Sequence, residues 1–200
     1  EWKLGEGQYL ALLSHSGSRG LGANIAKHYT YLATKQCPLP KQVQHLAWLD
    51  LSTHDGHEYW LAMNLAGDYA KACHDDIHRR ISKALGQRIA LTIENHHNFA
   101  WKEITGGREL IVHRKGATPA AAGQLGINPG SMAAPRYTVG GKGNAESLNS
   151  ASHGAGRLFS RAKCKTSFTQ SDIKKVLAAH DVTLIGGNID EGPVAYKNIE

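Results

Sequence analysis

The chain reads as an α+β protein, and three observations carry that reading. Apolar alternation and helical spacing follow one another without a regular strand–helix rhythm, and the connections between them are long. With 200 residues, 41% of them hydrophobic, the chain can bury a sizeable core without staples. Its three cysteines, Cys37, Cys73 and Cys164, match neither a disulfide framework nor a zinc spacing, so free thiols in a reducing compartment are expected. A single domain over residues 1–200 is the default expectation, since no repeat, low-complexity tract or linker interrupts the chain.

The elements follow in order. Residues 8–15, "QYLALLSH", alternate apolar positions at Leu10 and Leu12 before the small polar stretch "SGSRG", which predicts a buried strand ending at His15. Residues 21–36 place Ile25, Ala26, Tyr29 and Leu32 at helical spacing, and "CPLP" stops that helix because proline cannot continue it. A loop-rich insert over 41–57 precedes the longest predicted helix, 58–86, with Leu61, Leu65, Tyr69 and Ala72 along one inward stripe and Gly86 at its end. "RIALTIE" (88–94) and "ELIVHRK" (109–115) read as strands separated by a long loop. Shorter strands are expected at 136–139 and 182–185, and between them a helix capped by Thr169 or Ser171 turns Ile173, Val176 and Leu177 inward.

A formal net charge of +6 favours an anionic partner such as a nucleic acid or nucleotide. No stretch of about eighteen apolar residues and no secretion signal is visible, so a soluble, cytoplasmic protein without membrane contact is expected. Twelve histidines and 22 glycines concentrate in the same short segments, and those segments carry the chemistry.

Five of them stand out. In "HSGSRG" (15–20), Arg19 offers a fork for phosphate and the glycines allow tight backbone geometry; the same residues also suit a capped strand-to-helix turn. In "ENHHNFAW" (94–101), adjacent histidines on extended backbone face opposite ways, so one of His96 and His97 can address a metal while the other packs. Asn98 beside them suits a nucleotide phosphate or ribose, or a turn. "VHRKGATPA" (112–120) closes a strand with His113, Arg114 and Lys115, a pattern usual for a solvated edge. "GINPGSMAAP" (126–135) is either a cradle for a ring or phosphate or an ordinary β-turn. In "SASHGAGRLFSR" (150–161), Gly154 and Gly156 let a ligand approach the imidazole of His153, and a helix beginning near Gly156 would set Arg157 and Arg161 on one face. An imidazole with an ordinary pKa of about 6.5 is largely unprotonated at neutral pH and can serve as nucleophile or base.

In this order and at these separations, "HSGSRG", "HHN", "RKGA", "PGSM" and "SHGAGR" resemble the RtcB family of GTP-dependent RNA-splicing ligases, over nearly the whole chain. The resemblance is to a divergent bacterial member. It implies the RtcB-like fold, with mixed β-sheets flanked by helices and a two-metal active site in a central cleft. It implies joining of RNA 3′-phosphate or 2′,3′-cyclic phosphate ends to 5′-hydroxyl ends, in tRNA splicing or RNA repair, through a histidine–GMP intermediate. GTP and two Mn²⁺ ions are the implied cofactors, RNA the substrate, and an accessory activating protein an implied partner. By the same resemblance His153 is the guanylated histidine, and His15 and His97 bind metal. Guanylate contacts fall on Asn98, Pro129, Gly130, Ser131, Met132, Ala155, Gly156 and Tyr196, and RNA phosphates meet Arg19, Arg157 and Arg161.

The sequence also departs from the family pattern. A "D-x-x-C"-like segment and a "GNHF"-like segment, which supply further metal ligands upstream, are absent, as is a C-terminal lysine at the guanine; with Glu1 as first residue, a fragment of the catalytic domain is expected. Arg136 stands where the family commonly has a serine near the guanylate. Two other functions use the same residues: a metal-dependent phosphoesterase acting on RNA ends, and a non-catalytic RNA-binding domain that needs the arginines but not the imidazole.

Overall fold

The computed structural model describes residues 4–200, which divide into two compact units between Leu91 and Thr92. The sequence alone gave no sign of that division.

The first unit is helical. Helix α1 (Arg19–Gln36) and helix α2 (His54–Ala84) match the two expected helices, each beginning a few residues earlier than the apolar spacing indicates. Thr53 caps α2 by accepting a hydrogen bond from the Gly56 N–H, and Gly86, with φ +64°, follows its end. Part of the expected loop-rich insert is a short 3-10 helix, Lys41–Leu46. Gly22 lies against Ala66 while Tyr29 packs on Tyr59, with ring centroids 5.1 Å apart, so the two helices run antiparallel.

Two expectations fail in this unit. The stripe Leu61, Leu65, Tyr69 and Ala72 is exposed, and the half-buried to buried ridge of α2 is Tyr59, Met63, Ala66, Ala70 and Cys73. Both stripes have helical spacing, and the small residues of the second let α1 approach closely, which decides between them. Residues 8–15 form no strand, and Tyr9, Leu10, Leu12 and Leu13 are exposed. An alternating run becomes a strand only against a neighbouring strand, and no described residue supplies one.

The second unit holds all the described strands. Strands β1 (Asn98–Thr105) and β2 (Arg108–Lys115) form an antiparallel hairpin in which Phe99 faces Arg114 and Glu103 faces Leu110. The turn is Gly106–Gly107, both at positive φ (58° and 75°), the two-residue geometry whose twist matches paired strands. β1 was expected to be loop; the Gly–Gly pair after "FAWKEIT" is the hairpin signal. The expected strands at 88–94 and 182–185 do not form, and Ile89 and Ile185 are exposed. Strand β3 (Ala117–Pro119) pairs with β6 (Ser150–Ser152), and β4 (Leu125–Pro129) with β5 (Arg136–Gly140), the latter as expected for 136–139. Among the described residues the α+β class holds, but the sheets are three antiparallel pairs rather than mixed sheets.

Helices α3 (Arg161–Ser167) and α4 (Gln170–Ala178) complete the unit. Of the two expected caps it is Thr169 that caps α4, reciprocally with Asp172, and Ile173 and Leu177 are each 1% exposed. They pack with Cys164 and Ala195 beneath two short 3-10 helices, Ile189–Glu191 and Pro193–Ala195. All three cysteines are free thiols. No helix among the described residues is long and apolar enough to cross a membrane.

Candidate functional site

The second unit gathers four of the five stretches. His153 directly follows β6, and its backbone N–H donates to the Gly116 carbonyl (3.1 Å); the Gly116 N–H in turn donates to the His97 carbonyl (2.9 Å). This ladder brings the two imidazoles into a parallel stack, centroids 3.7 Å apart and 5° between planes. His96 packs instead on Phe99, with ring centroids 5.7 Å apart, and His97 sits in the bend that precedes β1.

The loop after His153 lies on the "PGSM" turn. The Ala155 N–H donates to the Pro129 carbonyl (3.3 Å), and Gly154 takes φ +116° in a position where a Cβ would fall 2.5 Å from that same carbonyl oxygen. Only glycine tolerates both the conformation and the crowding. Ser131 is buried at the start of the turn, with Met132 half-buried after it. Arg136, opposite Pro129 in the β4–β5 pair, is exposed. Asn98 opens β1 opposite Lys115.

On the other side of the loop, "AYK" runs alongside "AGR". Lys197 N–H donates to the Gly156 carbonyl (3.0 Å), Leu158 N–H to Ala195 (2.8 Å), and Arg157 and Tyr196 form an antiparallel bridge. Pro129–Met132, Ala155, Gly156 and Tyr196 thus belong to three segments stitched together around His153.

The arginines differ from expectation in one respect. No helix begins near Gly156; α3 starts at Arg161, because Ser160 caps it by accepting from the Lys163 N–H. Arg157 and Arg161 nevertheless converge on Asp190 and Glu191. Arg157 is half-buried over the Tyr196 ring (5.1 Å) and donates to the carbonyls of Phe159 and Asp190 and to the Tyr196 hydroxyl. Arg161 bonds both Asp190 (2.7 Å) and Glu191, with Lys165 3.8 Å from the second Asp190 oxygen. These contacts raise the already high Arg161 pKa, through the Asp190 hydrogen bond first. Burial, reinforced by Glu191, raises that of the Tyr196 hydroxyl.

Asp190 and Glu191 escaped the sequence reading, since an acidic pair 29 residues beyond Arg161 carries no local signal. Asp190 is 3% exposed, and the Arg161 hydrogen bond holds its carboxyl below the ordinary carboxylate range against the pull of burial. A carboxyl with a depressed folded pKa contributes stability that is complete above its unfolded value, about 3.9, and lost as pH falls through the folded one. Asp190→Asn is therefore expected to lower the unfolding midpoint at neutral pH and to flatten its decline between about pH 5 and pH 2. Thermal melts across that range check this.

The "HSGSRG" stretch belongs to the first unit. His15 is exposed in the non-regular segment before α1, and Arg19 is the first residue of α1, exposed and left-handed with φ +51°. Ser18 stands at the N-cap position but makes no side-chain cap.

In an α+β chain, stacked histidines on glycine-rich loops outside the packed cores put imidazole and backbone groups where a ligand can reach them. The model of the family described as tRNA-splicing ligase RtcB matches residues 1–200, and the chain belongs to the RtcB family. It is 36% identical to the RNA-splicing ligase RtcB of Escherichia coli (strain K12), over 98% of this chain and 52% of that protein. Another Escherichia coli strain's RNA-splicing ligase RtcB1 matches equally, also at 36%. The tRNA-splicing ligase RtcB of Nanoarchaeum equitans is 31% identical over 98% of this chain and 48% of its own length. The chain thus spans about half the length of the curated relatives it matches.

Proposed function

We propose that this chain carries the nucleotide-transferring part of an RNA ligase, with His153 as the residue that takes up GMP. The observation that carries this reading is the His153 loop: an imidazole on a glycine-framed backbone, stacked on His97 and laid over the Pro129–Met132 turn. An imidazole nitrogen of His153 attacks the α-phosphorus of GTP; the phosphorus–nitrogen bond forms, pyrophosphate leaves with the electrons of the broken bond, and the imidazole gives up its proton. GMP then passes to an RNA 3′-phosphate, and the 5′-hydroxyl of a second RNA end displaces it as the new phosphodiester forms. The relatives named as RNA- and tRNA-splicing ligases support RNA as the substrate, in splicing or repair.

His97 and His15 offer neutral imidazole nitrogens, a donor type that suits divalent transition metals, and we assign them as ligands for Mn²⁺. Bound there, Mn²⁺ offsets the negative charge of the phosphates. The backbone around Pro129, Gly130, Ser131, Met132, Ala155 and Gly156, with Asn98 and Tyr196, receives the guanylate. Arg19 and Arg161, both exposed, address RNA phosphates, while Arg157 stays engaged with Tyr196 and Asp190 and meets phosphate with its remaining donors.

Incubating the full-length protein with GTP labelled at the α-phosphate and Mn²⁺ is expected to give a covalent adduct, and peptide mapping is expected to find it on His153. An adduct on any other residue sinks the nucleophile assignment. Phosphate release from RNA ends with no GTP present would instead support the phosphoesterase reading.

A further inference from the structure

Arg114 has no part in the chemistry above, and a basic strand end was expected to be solvated. Instead it is 3% exposed, and all its directed bonds are made inside the second unit. Its guanidinium forks onto Glu103, Nη1 to Oε1 at 2.6 Å and Nη2 to Oε2 at 2.9 Å, and lies over the Trp101 ring at 5.0 Å. Nη2 also donates to the Leu148 carbonyl and Nε to the Ser150 hydroxyl, both at 2.8 Å. The Ser150 hydroxyl donates a hydrogen bond to the same Leu148 carbonyl (3.1 Å).

What Arg114 grips is the turn that delivers His153. Leu148 and Asn149 are consecutive non-glycine residues in the left-handed region, φ 52° and 49°, a conformation that persists only where surroundings impose it. Three residues of β6 then separate that turn from His153, and among the described residues their strand partner is β3 alone, itself three residues long and ending in Pro119, which has no N–H to donate. So thin a ladder fixes register weakly. The Arg114 bonds to Leu148 and Ser150 tie the turn to the longer β1–β2 hairpin, within which Glu103 holds the guanidinium, and the open end of that hairpin leads through Gly116 to both His97 and His153.

We infer that Arg114 is a positioning residue for His153: clamped by Glu103, it holds the Leu148–Ser150 turn and so sets where β6 presents the imidazole. The inference rests on His153 being the guanylated residue. It separates Arg114 from a residue that merely stabilises the fold, because misplacing a nucleophile slows its attack without changing how tightly GTP binds.

The test uses Arg114→Lys, which keeps the charge but not the fork, and Ser150→Ala, which removes one acceptor. In the full-length protein, Arg114→Lys is expected to slow adduct formation at saturating GTP by about ten-fold or more, with the apparent KM for GTP within about three-fold of wild type. Ser150→Ala is expected to slow it about three-fold, and serves alone if the lysine variant fails to fold. Hydrogen exchange is measured in parallel. Amides of residues 150–153 are expected to exchange faster in either variant while those of α4 are unchanged. Unchanged exchange at 150–153 in a folded variant overturns the inference whatever the activity, and so does faster exchange with an unaltered adduct rate. Absence of adduct in the wild-type protein overturns the guanylation reading instead, and the exchange data then decide by themselves whether Arg114 orders this segment.

Discussion

Replacing His153 with alanine is expected to abolish the GMP adduct, a loss of at least about 10⁴-fold, because no other group in the loop can replace the nucleophile. The residues that follow it bear this out chemically. Gly154, Ala155 and Gly156 have no nucleophilic side chain, and the loop's nearest cation, Arg157, is committed to Tyr196 and Asp190. The fold should tolerate the change, since His153 is only half-buried and its structural bond to Gly116 is made by the backbone N–H, which alanine keeps. His96→Ala is the matched control: it removes an imidazole one residue from His97 but packed on Phe99. Its adduct yield should stay within about three-fold of wild type, whereas His97→Ala should lose both the stack and a proposed metal ligand. Intact-mass measurement after incubation with GTP and Mn²⁺ reads all three, and an adduct surviving in His153→Ala would refute the assignment.

Gly154→Ala carries the second large effect, and it is reached through geometry alone. At φ +116° an alanine is strained whatever the space around it, and its Cβ would sit 2.5 Å from the Pro129 carbonyl oxygen. Backbone strain and overpacking together cost about 2–4 kcal/mol, and the cheapest relief is for the loop to lift off the "PGSM" turn, breaking the Ala155–Pro129 hydrogen bond. Adduct formation should then fall by about 100-fold, with a lowered melting temperature. Gly156→Ala is the informative contrast. It too has positive φ, +75°, but no atom lies near its absent Cβ, so it bears the backbone term alone, about 1 kcal/mol. Equal effects at the two glycines would mean that the close approach to Pro129 is not what fixes the loop.

The comparison between sequence and structure divides along a physical line. Helices α1, α2 and α4 were legible because each carries its own signals: a proline stop, a glycine after the last turn, a reciprocal Thr169–Asp172 cap. The β2 and β5 strands were legible for the same local reason. The runs at 8–15, 88–94 and 182–185 were misread because alternation says that a segment is willing to pair, and pairing depends on a partner elsewhere. The inward face of α2 was misread because two stripes of equal period compete, and residue size rather than spacing decides. Within the candidate site, the glycine and histidine segments were legible as motifs, and that "HHN", "RKGA", "PGSM" and "SHGAGR" would meet was implied by the family resemblance their order carries. Asp190, Glu191 and the burial of Arg114 were not foretold, since they rest on long-range pairings of charges, Arg114 with Glu103 11 residues away and Arg161 with Asp190 29 residues away.

The acidic pair also changes what the net charge means for a polyanion. Of the basic residues that make up the +6, Arg114 is sealed against Glu103, and Arg161 and Lys165 already face Asp190. On the proposed reading, an RNA phosphate arriving at Arg161 would exchange one anion for another instead of meeting a bare cation. Such an exchange adds no net protein charge to the neutralisation of the RNA backbone, so fewer condensed counterions are released than the arginine count implies. If RNA binds there, its binding is expected to weaken less steeply with added salt than for a surface on which the same arginines and lysines had no acidic partners.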